Sequence, residues 1–269
     1  MKTIYLDIET IPTQLQALRE ELVKPTMDFY AGKESALKAE LEQIRPPANY
    51  KDPAKIAEWD KTERPKKEEG LRAQITACQA EAVAKVEECW RKSSLDGALG
   101  QIVCIGYAFD DGKPFSFFDE RDYLTLKAES RILREFYQSL EIVPEGERHL
   151  VCWVGHNILD FDLRFLFQRS VIHGIRPPRW IPFDAKPWGD RVYDTMLAWA
   201  GPRGRIGQDK VCRVLGIESK GSELGDEIDG SKVWDFIKAG RIGDVATYNG
   251  GDVHRARELH RRLTFAEAA

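Results

Sequence analysis

Residues 3 to 9, TIYLDIE, alternate without a break: Ile4, Leu6 and Ile8 face one way, Thr3, Tyr5, Asp7 and Glu9 the other. This period of two is the pattern of a β-strand. Side chains two residues apart on a strand share a side, so Asp7 and Glu9 stand together, about 7 Å apart at the backbone. Among 44 acidic residues a D-x-E triplet alone says little. Its position says more, because the apolar opposite face places the strand within a sheet, where unpaired charges are costly. Asp7 and Glu9 are therefore candidates to share a metal cluster.

Pro12 ends this strand, and from about Thr13 to Leu95 the chain changes character. It becomes rich in Lys, Glu, Gln and Ala and is punctuated by Pro25, Pro46, Pro47, Pro53 and Pro65, which predicts a helical insertion. Leu71, Ile75, Cys78, Ala82, Val86 and Cys89 recur at spacings of three and four. This stripe must pack on another helix, in a hairpin or small bundle or in a second copy of the chain. Two readings of the insertion stand side by side: an arm that touches substrate or a partner protein, and a structural elaboration with a solvated charged face.

The sheet resumes after Gly97 and Gly100 with QIVCIGYAF, and PFSFF follows Asp111-Gly112 as a hairpin partner. A helix is expected over residues 125 to 141, then a short strand, LVCWV (150 to 154), leading directly into a further helix. Strands alternating with helices imply a mixed or parallel sheet. The last third is mainly helical, with turns at Gly201 to Gly207, Gly216 and Gly221 to Gly230 and a final helix from about Ile242 to Phe265. The expected organisation is one domain over residues 1–269, of α/β class, with residues 13–95 as a helical insertion after the first strand.

With 269 residues, 42% of them hydrophobic and 31% charged, the chain can bury a sizeable core and stay in water. Five scattered cysteines with no CxxC pair fit reduced thiols. MKTIYLDIET has one Lys and no long apolar run, so neither a signal peptide nor a membrane span is expected, and a cytoplasmic location is. A net charge of -4 gives no global attraction for nucleic acid, yet a nuclease can meet phosphates through metals and a local basic rim.

Two more segments carry chemistry. In GHNILDFDLRFL (155 to 166) a strand passes through Gly155-His156-Asn157 into a helix. Asp160 falls where a helix-capping carboxylate belongs, whereas Asp162, between Phe161 and Leu163, is the better ligand. In DVATYNGGDVHRARELHRRL, Tyr248 and Asp252 share a helix face at i, i+4 spacing close to the core. Gly250 and Gly251 weaken that helix by roughly 1 kcal/mol each, for close packing or a kink, or to make room beside Asp252.

In order and spacing, YLDIET, the HNxxxFD element and YxxxD match the three exonuclease motifs of the DnaQ-like, or DEDD, superfamily, and Tyr248 places the chain with its tyrosine-bearing subgroup. The chain resembles the bacterial and phage-type predicted exonucleases related to the proofreading domain of family B DNA polymerases. VYDTM, KVCRVLGI and DGSKVWDFIKAGRI add to the resemblance, which covers roughly residues 1 to 12 and 96 to 265. It implies a ribonuclease H-like mixed sheet flanked by helices and a 3′-to-5′ exonuclease. Its implied metal ligands are Asp7, Glu9, Asp162 and Asp252, with Tyr248 orienting the attacking water. YNGGD departs from relatives, which commonly carry a less flexible pair before the Asp.

Converging carboxylates repel one another until divalent cations about 4 Å apart neutralise them. Hard oxygen donors favour two Mg²⁺ or Mn²⁺ ions over zinc. Tyrosine's reference pKa near 10 suits Tyr248 to positioning a water rather than taking its proton. Thr10 and Asn157 are candidates for holding the terminal nucleotide, with turn stabilisation as the alternative, and Asp194 resembles a helix start. His254 and His260 are expected on the surface. Arg203, Arg205, Lys210, Lys220, Lys232 and Arg241 could form the basic rim. The expected substrate is a nucleic acid with a free 3′ end, single-stranded DNA first and RNA next. The alternative is a non-catalytic nucleic-acid-binding or partner-recruiting module acting through the insertion.

Overall fold

A computed structural model of the chain describes residues 2–218 and 229–266. Lys220 and most of the glycine-bearing turn expected at 221 to 230 lie outside the described residues. The chain divides into two compact units: residues up to Gln14 together with those from Ser93 onward, and Leu15–Lys92.

The first unit is built on five strands, β1 (Thr3–Ile11), β2 (Gln101–Phe109), β3 (Phe115–Phe118), β4 (Cys152–Gly155) and β5 (Val192–Asp194). They lie in the order β3-β2-β1-β4-β5. Only β2 runs against the others, which is the ribonuclease H-like arrangement. The alternation of β1 does what it predicts. Ile4, Leu6 and Ile8 join the main core with Ile132, Leu133 and Phe136 of α3 (Leu126–Ser139) and Leu163, Phe165 and Leu166 of α4 (Asp162–Ile172). Tyr5, on the opposite face, packs with Ala108, Val154 and Val253, the last from α8 (Ile242–Leu263).

Three shorter helices, α5 (Thr195–Ala200), α6 (Gln208–Leu215) and α7 (Val233–Lys238), complete this unit. Val211, Cys212 and Leu259 close the α6 contact with α8, and Val233 and Ile237 of α7 pack with Ile11 and Tyr248. One expectation is corrected, and one strand is added that the sequence reading did not assign. The helix after β4 does not follow directly, because residues 156–161 form a turn before α4 begins at Asp162. VYD is a strand, β5, held by parallel pairing with β4; three residues are too few to show a period.

The second unit pairs α1 (Gln16–Glu42) with α2 (Pro53–Arg91) as an antiparallel hairpin. Cys78 Sγ faces the Tyr30 carbonyl at 4.0 Å and Cys89 Sγ the Leu22 carbonyl at 3.6 Å, so later residues of α2 meet earlier ones of α1. The apolar stripe of α2 is thus covered within the chain: Leu71 and Cys78 are buried, Ile75, Ala82, Val86 and Cys89 half-buried. Pro53 opens α2 at its first turn behind Asp52, whose carboxylate accepts the Ala54 N–H at 2.9 Å. Pro25 and Pro65, by contrast, lie inside the helices instead of ending them.

Candidate metal centre

The parallel pairing of β1 with β4 stops at Tyr5 and Val154. Beyond it the β1 edge is left with free backbone donors, and Asp162 takes one: its Oδ1 accepts the Ile8 N–H at 3.0 Å. The turn that delivers Asp162 depends on Gly155, where a Cβ would lie 2.8 Å from the Leu6 carbonyl oxygen and from Ile158 Cβ. Asn157 adopts φ 65°, a left-handed conformation that asparagine tolerates better than most residues, and its carbonyl accepts the Phe161 N–H.

On the other face of β1, Asp7 and Glu9 meet Asp252 of α8. Each of the three offers a carboxylate oxygen within 4.8 Å of the others. Glu9 and Asp252 are buried, Asp7 half-buried. Asp162 does not join that group among the described residues, although it is close enough for electrostatic coupling. Burial first, and then the Asp7 charge, push the Asp162 carboxyl well above the usual carboxylate range, against the pull of the Ile8 N–H. Tyr248 is 1% exposed, packed with Ile11, Val103 and Val245. Burial, followed by the charges of Asp252, Glu9 and Asp7, drives its hydroxyl far above a tyrosine's ordinary value.

Two residues absent from the sequence argument hold these carboxylates in place. Asn249, with no exposed surface, donates from Nδ2 to Asp7 Oδ2 at 2.8 Å and to the Asp7 carbonyl at 3.2 Å. Its Oδ1 accepts from Ser116 Oγ at 3.1 Å and Cys104 Sγ at 3.3 Å. The amide fits only because β2 carries Gly106 opposite Asp7: a Cβ there would stand 2.1 Å from Asn249 Oδ1. Arg255, 1% exposed, clasps Asp252 Oδ1 with Nε at 3.0 Å and Nη2 at 2.9 Å. The sequence hints at Asn249 alone and gives no signal for Arg255. Asn249 interrupts the buried stripe of Val245, Tyr248, Asp252, Val253 and Ala256, and a glycine inside a strand marks a close approach of another element.

The remaining candidates divide. Thr10 Oγ1 donates to the Ser94 carbonyl at 2.7 Å. Asn157 sits in the turn with its Oδ1 buried and without a hydrogen-bond partner among the described residues. Asp194 caps α5, accepting from Met196 and Leu197 N–H groups, and also takes the Asn157 N–H. Asp160 does not cap a helix; it is exposed and paired with Arg205 at 2.7 Å. His260 is not a surface residue but half-buried against Tyr5 and Tyr193, whereas His254 is exposed. Of the expected rim, Arg205, Lys232 and Arg241 already face Asp160, Asp229 and Asp244. All five thiols are free, and among the described residues no helix is long and apolar enough to cross a membrane.

Residues 98–267 match the sequence model of a family described as predicted 3′-5′ exonucleases related to the exonuclease domain of PolB. The chain belongs to that family. The match begins just before β2, so Asp7 and Glu9 fall outside it; the sheet brings them to Asp252. Among solved structures, the family B DNA polymerase from the hyperthermophilic archaeon Pyrobaculum calidifontis is similar at 20% identity with a TM-score of 0.47, over 63% of this chain. The chain spans only 22% of that polymerase chain. No curated protein matches the sequence.

Proposed function

We propose that this 3′-5′ exonuclease hydrolyses phosphodiester bonds of a single strand, DNA before RNA, to nucleoside monophosphates, with two divalent cations held by Asp7, Glu9, Asp162 and Asp252. The observation that carries the reading is the convergence of Asp7, Glu9 and Asp252 within 4.8 Å, with Asp162 near enough to feel the Asp7 charge. The donor set fits the ions. Every candidate ligand atom is a hard carboxylate oxygen, and Arg255 is one positive charge set against four carboxylates, leaving negative charge for Mg²⁺ or Mn²⁺ to neutralise. Bound there, two such cations would acidify a water and stabilise the charge developing on the attacking and leaving oxygens.

The chain's own groups do the rest. Asn249 fixes the orientation of Asp7, and Arg255 fixes Asp252 through one carboxylate oxygen. Burial and the neighbouring carboxylates favour the protonated form of Tyr248, which suits its hydroxyl to orienting the attacking water rather than serving as a base. Thr10 and Asn157, at the end of β1 and in the turn before α4, are the residues assigned to the terminal nucleotide.

The test follows 5′-labelled single-stranded DNA and RNA with Mg²⁺, Mn²⁺ or EDTA, comparing the natural chain with Asp7→Ala and Asp252→Ala. A ladder shortening from the 3′ end, abolished by EDTA and by either substitution, is expected. If neither strand is degraded with either metal, the reading fails.

A further inference from the structure

At the far end of the sheet unit from the carboxylates lies a cavity of about 600 Å³ lined by Arg134 of α3, Arg148, and Arg176 and Arg179 beyond α4. The opposition of the two sites follows from topology. Asp162 sits where β4 has ended and α4 begins; Arg148 precedes β4, and Arg176 follows the last residue of α4. Eleven residues of helix separate them by roughly 15 Å at the least.

Elsewhere on this acidic chain arginines find carboxylates: Arg131 with Asp119, Arg205 with Asp160, Arg213 with Asp209, Arg261 with Asp111. None of the four cavity arginines is in an ion pair among the described residues, and Glu141 is the one acidic residue in the lining. Four like charges gathered around one hollow, with no carboxylate paired to them, make a local positive field that attracts an anion. The hollow is also built. Arg191 Nη2 donates to the Trp180 carbonyl at 2.8 Å and to the Arg148 carbonyl at 3.3 Å, tying its two walls together. Arg148 Nε donates to the Val143 carbonyl at 3.1 Å, and its guanidinium lies 6.0 Å from the Trp180 ring centroid. Pro177 and Pro178 restrict the segment between Arg176 and Arg179.

Planar guanidinium groups suit phosphate oxygens, which they grip through paired N–H donors. We propose that this cavity is a second phosphate-binding site, taking the backbone of the polynucleotide whose 3′ end lies at the carboxylates; the second clause rests on the exonuclease reading. It supplies positive surface beyond the expected rim, of which Arg205, Lys232 and Arg241 are ion-paired.

The experiment uses the full chain in EDTA, so that nothing is cleaved, and measures anisotropy of a labelled single-stranded oligonucleotide across a salt series. Arg176→Ala/Arg179→Ala and Arg176→Glu/Arg179→Glu are compared with the natural chain; both side chains are exposed, and circular dichroism checks the fold. Each phosphate contact to a single strand contributes about 0.7 to the slope of log affinity against log salt, so loss of two lowers it by about 1.4. That drop, with dinucleotide cleavage in Mn²⁺ unchanged, is the expected result. Unchanged affinity and slope overturn the proposal. Parallel titrations with inorganic phosphate and a nucleoside monophosphate separate the sources: a loss confined to these overturns the assignment to a strand. A natural chain that binds with the steeper slope yet cleaves nothing supports the cavity and refutes only the exonuclease reading.

Discussion

Gly106→Ala reaches the candidate metal centre without altering a carboxylate, and its cost follows from the geometry. The new Cβ would stand 2.1 Å from Asn249 Oδ1 and 2.8 Å from its Cγ, so the amide must move. Behind the amide is Asp7, which then loses the charge-assisted bond at 2.8 Å and the carbonyl bond at 3.2 Å. A hydrogen bond to a charged group contributes about 1.5–3 kcal/mol and a neutral one about 0.5–1.5 kcal/mol. Even before overpacking is added, Gly106→Ala should cost about 2–4 kcal/mol. In an Asn249→Ala background the space is vacant. Of the three nearest atoms Val253 Cγ2 at 3.0 Å remains, and the added cost should fall below about 1 kcal/mol. Urea unfolding of the four proteins in EDTA gives the coupling energy, expected to exceed about 1.5 kcal/mol. Manganese binding followed by electron paramagnetic resonance should weaken in both single variants, a shift that a purely structural lesion would not produce. If Gly106→Ala costs the same in both backgrounds, or if manganese affinity is unmoved, the assignment of Asn249 to Asp7 is wrong.

Three further outcomes are expected. Gly250→Ala should stabilise the chain by about 1 kcal/mol, because its Cβ would meet Pro114 Cβ at 3.8 Å and Ser116 Oγ at 3.9 Å, ordinary contacts; a lower Tm would show that the glycine is needed for packing. His260 has its pKa lowered by burial and then by the Arg261 charge, so below about pH 6.5 the unfolded chain binds more protons and stability falls as pH drops through the folded value. His260→Gln should flatten that part of the urea-midpoint profile, and an unchanged slope would exonerate His260. Because the Thr13 N–H donates to Ser93 Oγ at 3.0 Å, the ends of the hairpin unit meet, and joining Gln14 to Ser93 through a short glycine linker should leave a cooperatively folding unit that binds manganese; loss of both properties would show that the sheet unit depends on the hairpin.

What could be foreseen tracks how local the cause is. The alternation of TIYLDIE needs no partner to be visible, and a helix such as α3 shows its core face through Ile132, Leu133 and Phe136 alone. The break before α4 is different, because Gly155 is required by the Leu6 carbonyl of another strand and not by anything adjacent. Arg255 and Arg257 look like a solvated face in HRARELHRR. They are buried because α8 lies across the sheet, where Arg257 donates to the carbonyls of Asp110 and Gly112 in the β2–β3 turn. The function of the hairpin was illegible for a related reason: its stripe is fully explained by packing α2 on α1, which leaves no residue pattern pointing outward.

The same distinction explains the candidate metal centre. Carboxylates announce themselves, because charge on a half-buried strand demands a partner. The groups that aim them do not, since an amide and a guanidinium on a helix are ordinary in sequence. Carboxylates drawn together repel, and the fold answers with donors beside three of the four: the Ile8 N–H for Asp162, Asn249 for Asp7, and Arg255 for Asp252. Two of those donors lie on α8 and the third on β1, elements fixed by the hydrophobic core. The orientation of Asp7, Asp162 and Asp252 is therefore set by packing before any cation arrives, and a substitution that shifts α8 should weaken metal binding even where every ligand survives.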